Sequence, residues 1–374
     1  MKSKKLLSAI LAMTAVSSPL ALASTTNGTE QVTTGGVEVL ESNYPWQVKV
    51  ITTMNGVEEA KVCGGAIIDT QWAVTSAQCF FDVSKGLDKN DIESVQVSFP
   101  DYDGEGLATL NIDKFFVHSS ATGNPADAND IALVKFNESS FPMNGVIQLM
   151  TADEDENVLT QQKSDFWVEN QERLPLFVTT GYQGSLDGAL KRDYLSGVPN
   201  DKCDGYNTRL THCGTTPHPE YTQGMCYGDL GAPLIWKNPN NAGDNNKGLR
   251  LAGIASIGKD NCDNNNYSEF TNIADYVDWI KNTITAEIGE EYVVNQLAQM
   301  TVFSYDPLAD ENMPSYTDKG EVGGNSGEDP DFVGDDDDNA TDGNGDSGDK
   351  SGGSFGLGVL IALGATAYSR RKKK

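Results

Sequence analysis

Six cysteines in a chain that opens with an export signal constrain this fold more than any other feature of its 374 residues. Lys2, Lys4 and Lys5 precede an apolar run from Leu6 to Leu22, broken by Pro19 and closed by the small-residue site Ala21-Leu22-Ala23. That is the layout of a secretory signal peptide over residues 1–23; a buried helix or a membrane span would need a longer apolar run or no cleavage site. Cys63, Cys79, Cys203, Cys213, Cys226 and Cys262 are then expected to form three disulfides in an oxidising compartment, and the count alone leaves fifteen pairings open.

Acidic residues outnumber basic ones 54 to 27, for a formal charge of −27, which repels phosphate backbones and excludes nucleic acid as a partner. The 38 glycines point to a loop-rich globular chain. Runs at 47–52, 64–69, 72–76, 131–136, 234–237 and 249–257 are short, rich in Val and Ile, and bounded by turn residues, so the chain reads as all-β. Apolar spacing becomes helical only from Ile273 through Val277 and Ile280 to Ile284, giving one closing helix. Residues 285–319 are too apolar for a linker and too short for a domain, and are expected to pack on the fold. Residues 320–350, with Asp335-Asp336-Asp337-Asp338, cannot bury a core and read as an acidic disordered linker.

The blocks Gly35-Gly36, Tyr44-Pro45-Trp46-Gln47-Val48, Cys63-Gly64-Gly65-Ala66-Ile67-Ile68, Thr75-Ser76-Ala77-Gln78-Cys79, Asn129-Asp130-Ile131-Ala132-Leu133, Gly228-Asp229-Leu230-Gly231-Ala232-Pro233 and Phe270-Thr271-Asn272-Ile273 stand in a fixed order. In that order the sequence resembles the trypsin-like (chymotrypsin-fold) serine proteases over residues 35–284, after a short segment at 24–34. The resemblance implies two six-stranded antiparallel β-barrels with a cleft between them and a C-terminal helix. It further implies the disulfides Cys63–Cys79, Cys203–Cys213 and Cys226–Cys262.

Hydrolysis by such a fold needs a hydroxyl nucleophile, an imidazole to move its proton and a carboxylate to orient the imidazole. By resemblance the imidazole belongs at Gln78 and the nucleophile at Leu230; only Asp130 keeps the family's identity. An amide does not titrate near neutral pH and an isobutyl group has no lone pair, so both roles are lost rather than weakened. Leu230 is expected to project into the space of a scissile carbonyl, and Gln78 to donate a hydrogen bond to Asp130. His118, His212 and His218 read as satisfied or surface histidines, and Ser76 as core packing. No metal motif is present and no cofactor is expected.

Two further departures concern activation and specificity. In the family, cleavage after a basic residue frees an ammonium that pairs with the aspartate before the nucleophile, here Asp229, within the oxyanion loop Gly228-Asp229-Leu230. Residues 24–34 contain no Lys or Arg, so Asp229 is expected to lack that partner. Gly224 stands where trypsins carry the aspartate that selects Arg and Lys, and Ser256-Ile257-Gly258 resembles the wall that binds a peptide backbone.

At residues 351–374, Gly352-Gly353 precede an apolar stretch from Phe355 to Tyr368 and the cluster Arg370 to Lys374. Fourteen residues make about 21 Å of helix, short of the roughly 30 Å hydrocarbon core. This tripartite order resembles the GlyGly-CTERM sorting signal of Gram-negative secreted proteins, which implies transient membrane contact, C-terminal processing machinery and a surface destination by way of the periplasm. The expected function is a pseudoprotease that binds a peptide or protein ligand or regulates; the alternatives are a serine endopeptidase with a relocated catalytic set and a structural component of the cell envelope.

Overall fold

Every run expected as strand from its Val and Ile content and its bounding turn residues forms one. In chain order the strands are β1 (Val37–Glu38), β2 (Gln47–Met54), β3 (Lys61–Asp69), β4 (Trp72–Thr75), β5 (Ile92–Pro100), β6 (Leu107–Asn111), β7 (Lys114–Val117), β8 (Ala132–Lys135), β9 (Gln148–Leu149), β10 (Phe177–Gly181), β11 (Lys191–Gly197), β12 (Thr211–Thr215), β13 (Pro233–Lys237), β14 (Leu249–Ile257) and β15 (Ser268–Asn272). The computed structural model describes residues 36–100, 107–124, 129–136, 145–169, 171–203, 210–217, 227–257, 267–309, 312–313, 315–316 and 322–323. The chain divides into two units, Met1–Phe332 and Val333–Lys374, and all described residues belong to the first.

The first sheet runs β6-β5-β2-β3-β4-β8-β7 and is a half-barrel. The second closes: β11-β10-β13-β14-β15-β12 returns to β11, with β1 added at the edge and β9 running parallel to β14. An aromatic and aliphatic core joins the two sheets through Trp46, Trp72 and Leu133 on one side and Val178, Ile235 and Leu251 on the other. The C-terminal helix, Val277–Ile288, seals this core with Ile280 and Ile284 and stops at Gly289, whose φ of 76° is the left-handed cap that glycine tolerates best.

The runs read from the sequence leave out strands β1, β5, β6, β7, β9, β10, β11, β12 and β15, and one helical element is absent from that reading too. Residues Ala152–Glu154, Asp155–Leu159 and Thr160–Asp165 form a continuous helical run with a π-helical centre, opened by a capping box between Thr151 and Glu154. Its Leu159 packs with Phe177, Trp236 and Phe270 inside the second barrel.

Beyond the C-terminal helix the chain crosses the back of the molecule. Asn295 exchanges two hydrogen bonds with the backbone of Leu149, Phe303 packs edge-on against Trp46, and the Tyr194 hydroxyl donates to the Pro307 and Asn312 carbonyls. Within the stretch expected to be a disordered linker, Val322–Gly323 form a two-residue ladder with Ser315–Tyr316, because backbone pairing needs no apolar side chains. The remainder of that stretch, residues 1–35 and the tail at 351–374 lie outside the described residues. No described helix is long and apolar enough to cross a membrane.

Among the described residues two disulfides are present, Cys63–Cys79 and Cys203–Cys213, as the resemblance implied, and they fit an oxidising compartment. Cys226 and Cys262 lie outside the described residues.

Candidate functional site

The site is assembled where the two sheets meet. After β4 the chain turns through a 3-10 segment, Ala77–Phe80, anchored to β3 by Cys79–Cys63, which sets Gln78 facing the loop before β8. In that loop Asn129 has a φ of 75°, and the following Asp130 is turned inward and is 5% exposed.

Asp130 is saturated with donors. Its Oδ1 accepts from the Gln78 backbone N–H at 2.9 Å, and its Oδ2 from Gln78 Nε2 at 2.7 Å, the contact expected from the sequence. Ser76 Oγ lies 2.7 and 2.8 Å from the two carboxylate oxygens. The other Nε2 hydrogen of Gln78 goes to the Ser256 carbonyl at 2.7 Å, so the amide bridges the first sheet to β14 of the second. Lys61 supports the turn from behind, donating to the carbonyls of Gln78 and Phe81 at 2.7 and 3.1 Å. Burial holds the Lys61 ammonium below its usual range, opposed by the charges of Asp130 and Asp82.

Ser76 corrects the sequence reading. It is fully buried, as core packing requires, but its hydroxyl is also a ligand of the carboxylate. The only available signal was a serine at a position where the family block carries alanine. Ser76→Ala is expected to cost about 1–3 kcal/mol, the range for leaving a buried partner short of a hydrogen bond, measured by urea unfolding.

Leu230 also departs from expectation. The backbone of its turn is held by Gly64 N–H to the Leu230 carbonyl at 2.7 Å and by Gly231 N–H to the Ala255 carbonyl at 2.8 Å. The approach is so close that a Cβ on Gly64 would lie 2.7 Å from the Ala232 Cα. The side chain, however, is only 3% exposed and packs into the apolar cluster of the first sheet with Val48, Cys63 and Phe80. An isobutyl group gains more from joining that cluster than from standing in a polar cleft. It withdraws from the space the sequence reading assigned to it.

Gly228 is half-buried beside Gly184, and Asp229 accepts the Gln183 N–H at 2.9 Å. Gly224, Gly258 and His218 lie outside the described residues, as does the Ile257 side chain. The two described histidines are elsewhere. His118 packs edge-on to Tyr276 at 5.6 Å and close to Trp279, and burial lowers its pKa. His212, on β12, is 1% exposed, 3.8 Å from Asp155, and is held well below its usual range by burial and then by the Lys163 charge. It is therefore a core residue of the second barrel, neither on the surface nor in the cleft.

A half-barrel joined to a closed six-stranded barrel, with a saturated aspartate at their junction and the turn Gly228 to Pro233 held to Gly64 of the first sheet, defines a protein of the chymotrypsin-fold class. The Trypsin family model matches residues 33–280, two thirds of the sequence, and the chain belongs to the trypsin family. It is 26% identical over 258 residues to a collagenase of Hypoderma lineatum, covering 66% of this chain and 85% of that one. It is 27% identical over 254 residues to transmembrane protease serine 11G of Mus musculus, covering 65% of this chain and 53%, about half, of the mouse protein. A solved collagenase structure is 24% identical with a TM-score of 0.48, covering 69% of this chain and 99% of the other.

Proposed function

We propose that this trypsin-family chain has no trypsin-type catalysis and that its scaffold serves as a peptide- or protein-binding or regulatory module outside the cytoplasm. The observation that carries this reading is the Gln78 carboxamide, whose Nε2 hydrogens are both committed, to Asp130 Oδ2 and to the Ser256 carbonyl. A group so held orients nothing and takes no proton. Its neighbour at the nucleophile address, Leu230, is an apolar core side chain. His118 and His212, engaged in aromatic packing and in the barrel interior, do not stand in for the missing base. By its resemblance to the family's backbone-binding wall, Ser256-Ile257-Gly258 is the segment against which an extended peptide would lie. Surface delivery, with the C-terminal segment contacting the membrane and meeting its processing machinery, belongs to the same proposal.

The test is incubation of the purified protein with a fluorophosphonate probe and, separately, with casein. The expected outcome is no covalent label and no turnover above buffer. A label or turnover that disappears when one cleft side chain is changed would establish the competing reading, an endopeptidase with a relocated catalytic set.

A further inference from the structure

Between the connection from β13 to β14 and the segment that follows the C-terminal helix lies an open cavity of about 530 Å³, inside the range of roughly 300–1,000 Å³ usual for small-molecule sites. Its floor is Gln148 of β9 with Asn246 and Arg250, all no more than 9% exposed, and its rim carries Asn241, Asp244 and Gln299. These walls are held without a ligand. The connection is a chain of turns in which the Asn241, Asp244 and Lys247 N–H groups donate to the carbonyls of Asn238, Asn241 and Asp244. A Cβ on Gly248, whose φ is 73°, would lie 2.8 Å from the Asn238 carbonyl oxygen, so the loop closes tightly on itself. The Phe303 N–H is fixed on the Asn245 carbonyl, and Asn295 is tied to the backbone of Leu149, next to Gln148. Gln299 lies beyond the family-matched residues, so the added segment completes the cavity.

The floor carries donors that the protein does not use. Arg250 Nε donates to Glu154 Oε1 at 2.8 Å and Nη1 to the Leu249 carbonyl at 3.1 Å, but Nη2 donates to no described residue. Gln148 Oε1 accepts from Asn246 Nδ2 at 2.9 Å, and Gln148 Nε2 likewise has no acceptor among the described residues. Neither nitrogen is sealed from solvent, so both open on the cavity that their residues line. The charge of Arg250 is already met: burial works against the Glu154 carboxylate, but the Thr151 N–H, the Asn238 amide and Arg250 together hold its pKa below the ordinary value. At the rim Asp244 Oδ2 accepts from Asn241 Nδ2 at 3.0 Å, and the carboxylate is otherwise exposed. An anion would find a guanidinium already paired and a carboxylate at the entrance, and a metal cation would find the guanidinium. No lining side chain is apolar, so neither an apolar ligand nor the alternate side chains of an extended peptide have a pocket here. Sugar hydroxyls, each able to accept and to donate, match unspent donors below and acceptors above.

We infer that this cavity binds the neutral sugar units of an oligosaccharide, with Arg250 Nη2 and Gln148 Nε2 donating to hydroxyls and Asp244 accepting from them. The site is independent of the proposed loss of catalysis, since it draws on no residue of the Gln78–Asp130–Ser256 cluster.

The experiment is saturation-transfer difference NMR on the purified protein with maltotriose, cellotriose and chitotriose, and with trigalacturonate and acetyl-trialanine-amide as charged and peptide comparators. Transfer is expected to at least one of the three neutral sugars, with a Kd of about 1 mM, which is what a few hydrogen bonds leave after the cost of association. The comparators should show none. Gln148→Glu keeps the oxygen that accepts from Asn246 while removing the donor hydrogens that face the cavity, and should weaken binding about tenfold. Gln299→Ala, at an exposed position that folding does not depend on, should weaken it about threefold and serves as the second variant if Gln148→Glu lowers the unfolding midpoint. Absence of transfer to all three sugars would overturn the site. Stronger binding of trigalacturonate would make it an anion site and binding of the peptide a protein-docking surface, and either result overturns the inference. So would sugar binding left unchanged by both variants, which would place the contact elsewhere on the molecule.

Discussion

Asp130→Ala is expected to lower the unfolding free energy by about 3–5 kcal/mol, the range for breaking a buried charged cluster from one side. The carboxylate collects Ser76 Oγ, the Gln78 backbone N–H and Gln78 Nε2, and all three donors lie in segments no more than 5% exposed. Alanine strands the Ser76 hydroxyl and one Gln78 Nε2 hydrogen away from water, while the Gln78 N–H keeps only its longer bond to Ser76 Oγ at 3.1 Å and Nε2 its bond to the Ser256 carbonyl, so the cost comes chiefly from stranded donors rather than from lost attraction. Asp130→Asn retains an oxygen acceptor and should cost distinctly less. Urea denaturation of both variants measures the difference. An alanine variant within 1 kcal/mol of the parent would show that the cluster relaxes and that the Gln78 bridge contributes little to the junction of the two sheets.

Phe303→Ala is expected to cost a similar amount, about 3–5 kcal/mol, as a large aromatic truncated in a close-packed core. Phe303 lies outside the family-matched region, yet it is 2% exposed and its ring stands 4.9 Å from that of Trp46 in a T-shaped contact. Trp46 is in turn edge-on to Tyr44, and Tyr44 to Tyr305, so the segment after the C-terminal helix completes an aromatic chain begun near the start of the fold. The Phe303 N–H is fixed on the Asn245 carbonyl, and Lys237 pairs with Asp306, which limits how far the segment can collapse into the void. Val302, one residue earlier and 62% exposed, is the control: Val302→Ala should change stability by no more than about 0.5 kcal/mol. Equal small effects at both positions would mean that the segment is an appendage, and the midpoint in guanidinium decides between the two outcomes.

Much of this was legible because the signals are local. A strand such as Leu249–Ile257 announces itself by its run of residue types and its flanking turns, and the closing helix by the spacing of Ile280 and Ile284. The helical run that starts after Thr151 had its own local mark, a threonine three residues before Glu154, but the acidic residues that follow obscured the apolar anchor Leu159. The proposed loss of a base and a nucleophile, at Gln78 and Leu230, comes from the fixed blocks around them, which give each position an address.

The partners of those residues were not readable in the same way. A sequence lists donors and acceptors but not which of them share a buried space, and the contacts that decide this site join residues 52 and 178 positions apart, Gln78 to Asp130 and Gln78 to Ser256. Ser76 looked like filler because small residues at a strand end are usually chosen for volume, and only the folded chain brings its hydroxyl to a carboxylate. Leu230 could have faced the cleft or the core; the proximity of the first sheet's apolar cluster decided for the core. The sequence by itself determined which side chains stand at residues 78 and 230 and that runs such as 47–52 and 249–257 form strands, since both depend on residue identity and short-range pattern. The tertiary structure alone decided where the remaining polar groups spend their hydrogen bonds, because each such choice is a competition among neighbours that exist only after the two sheets have met.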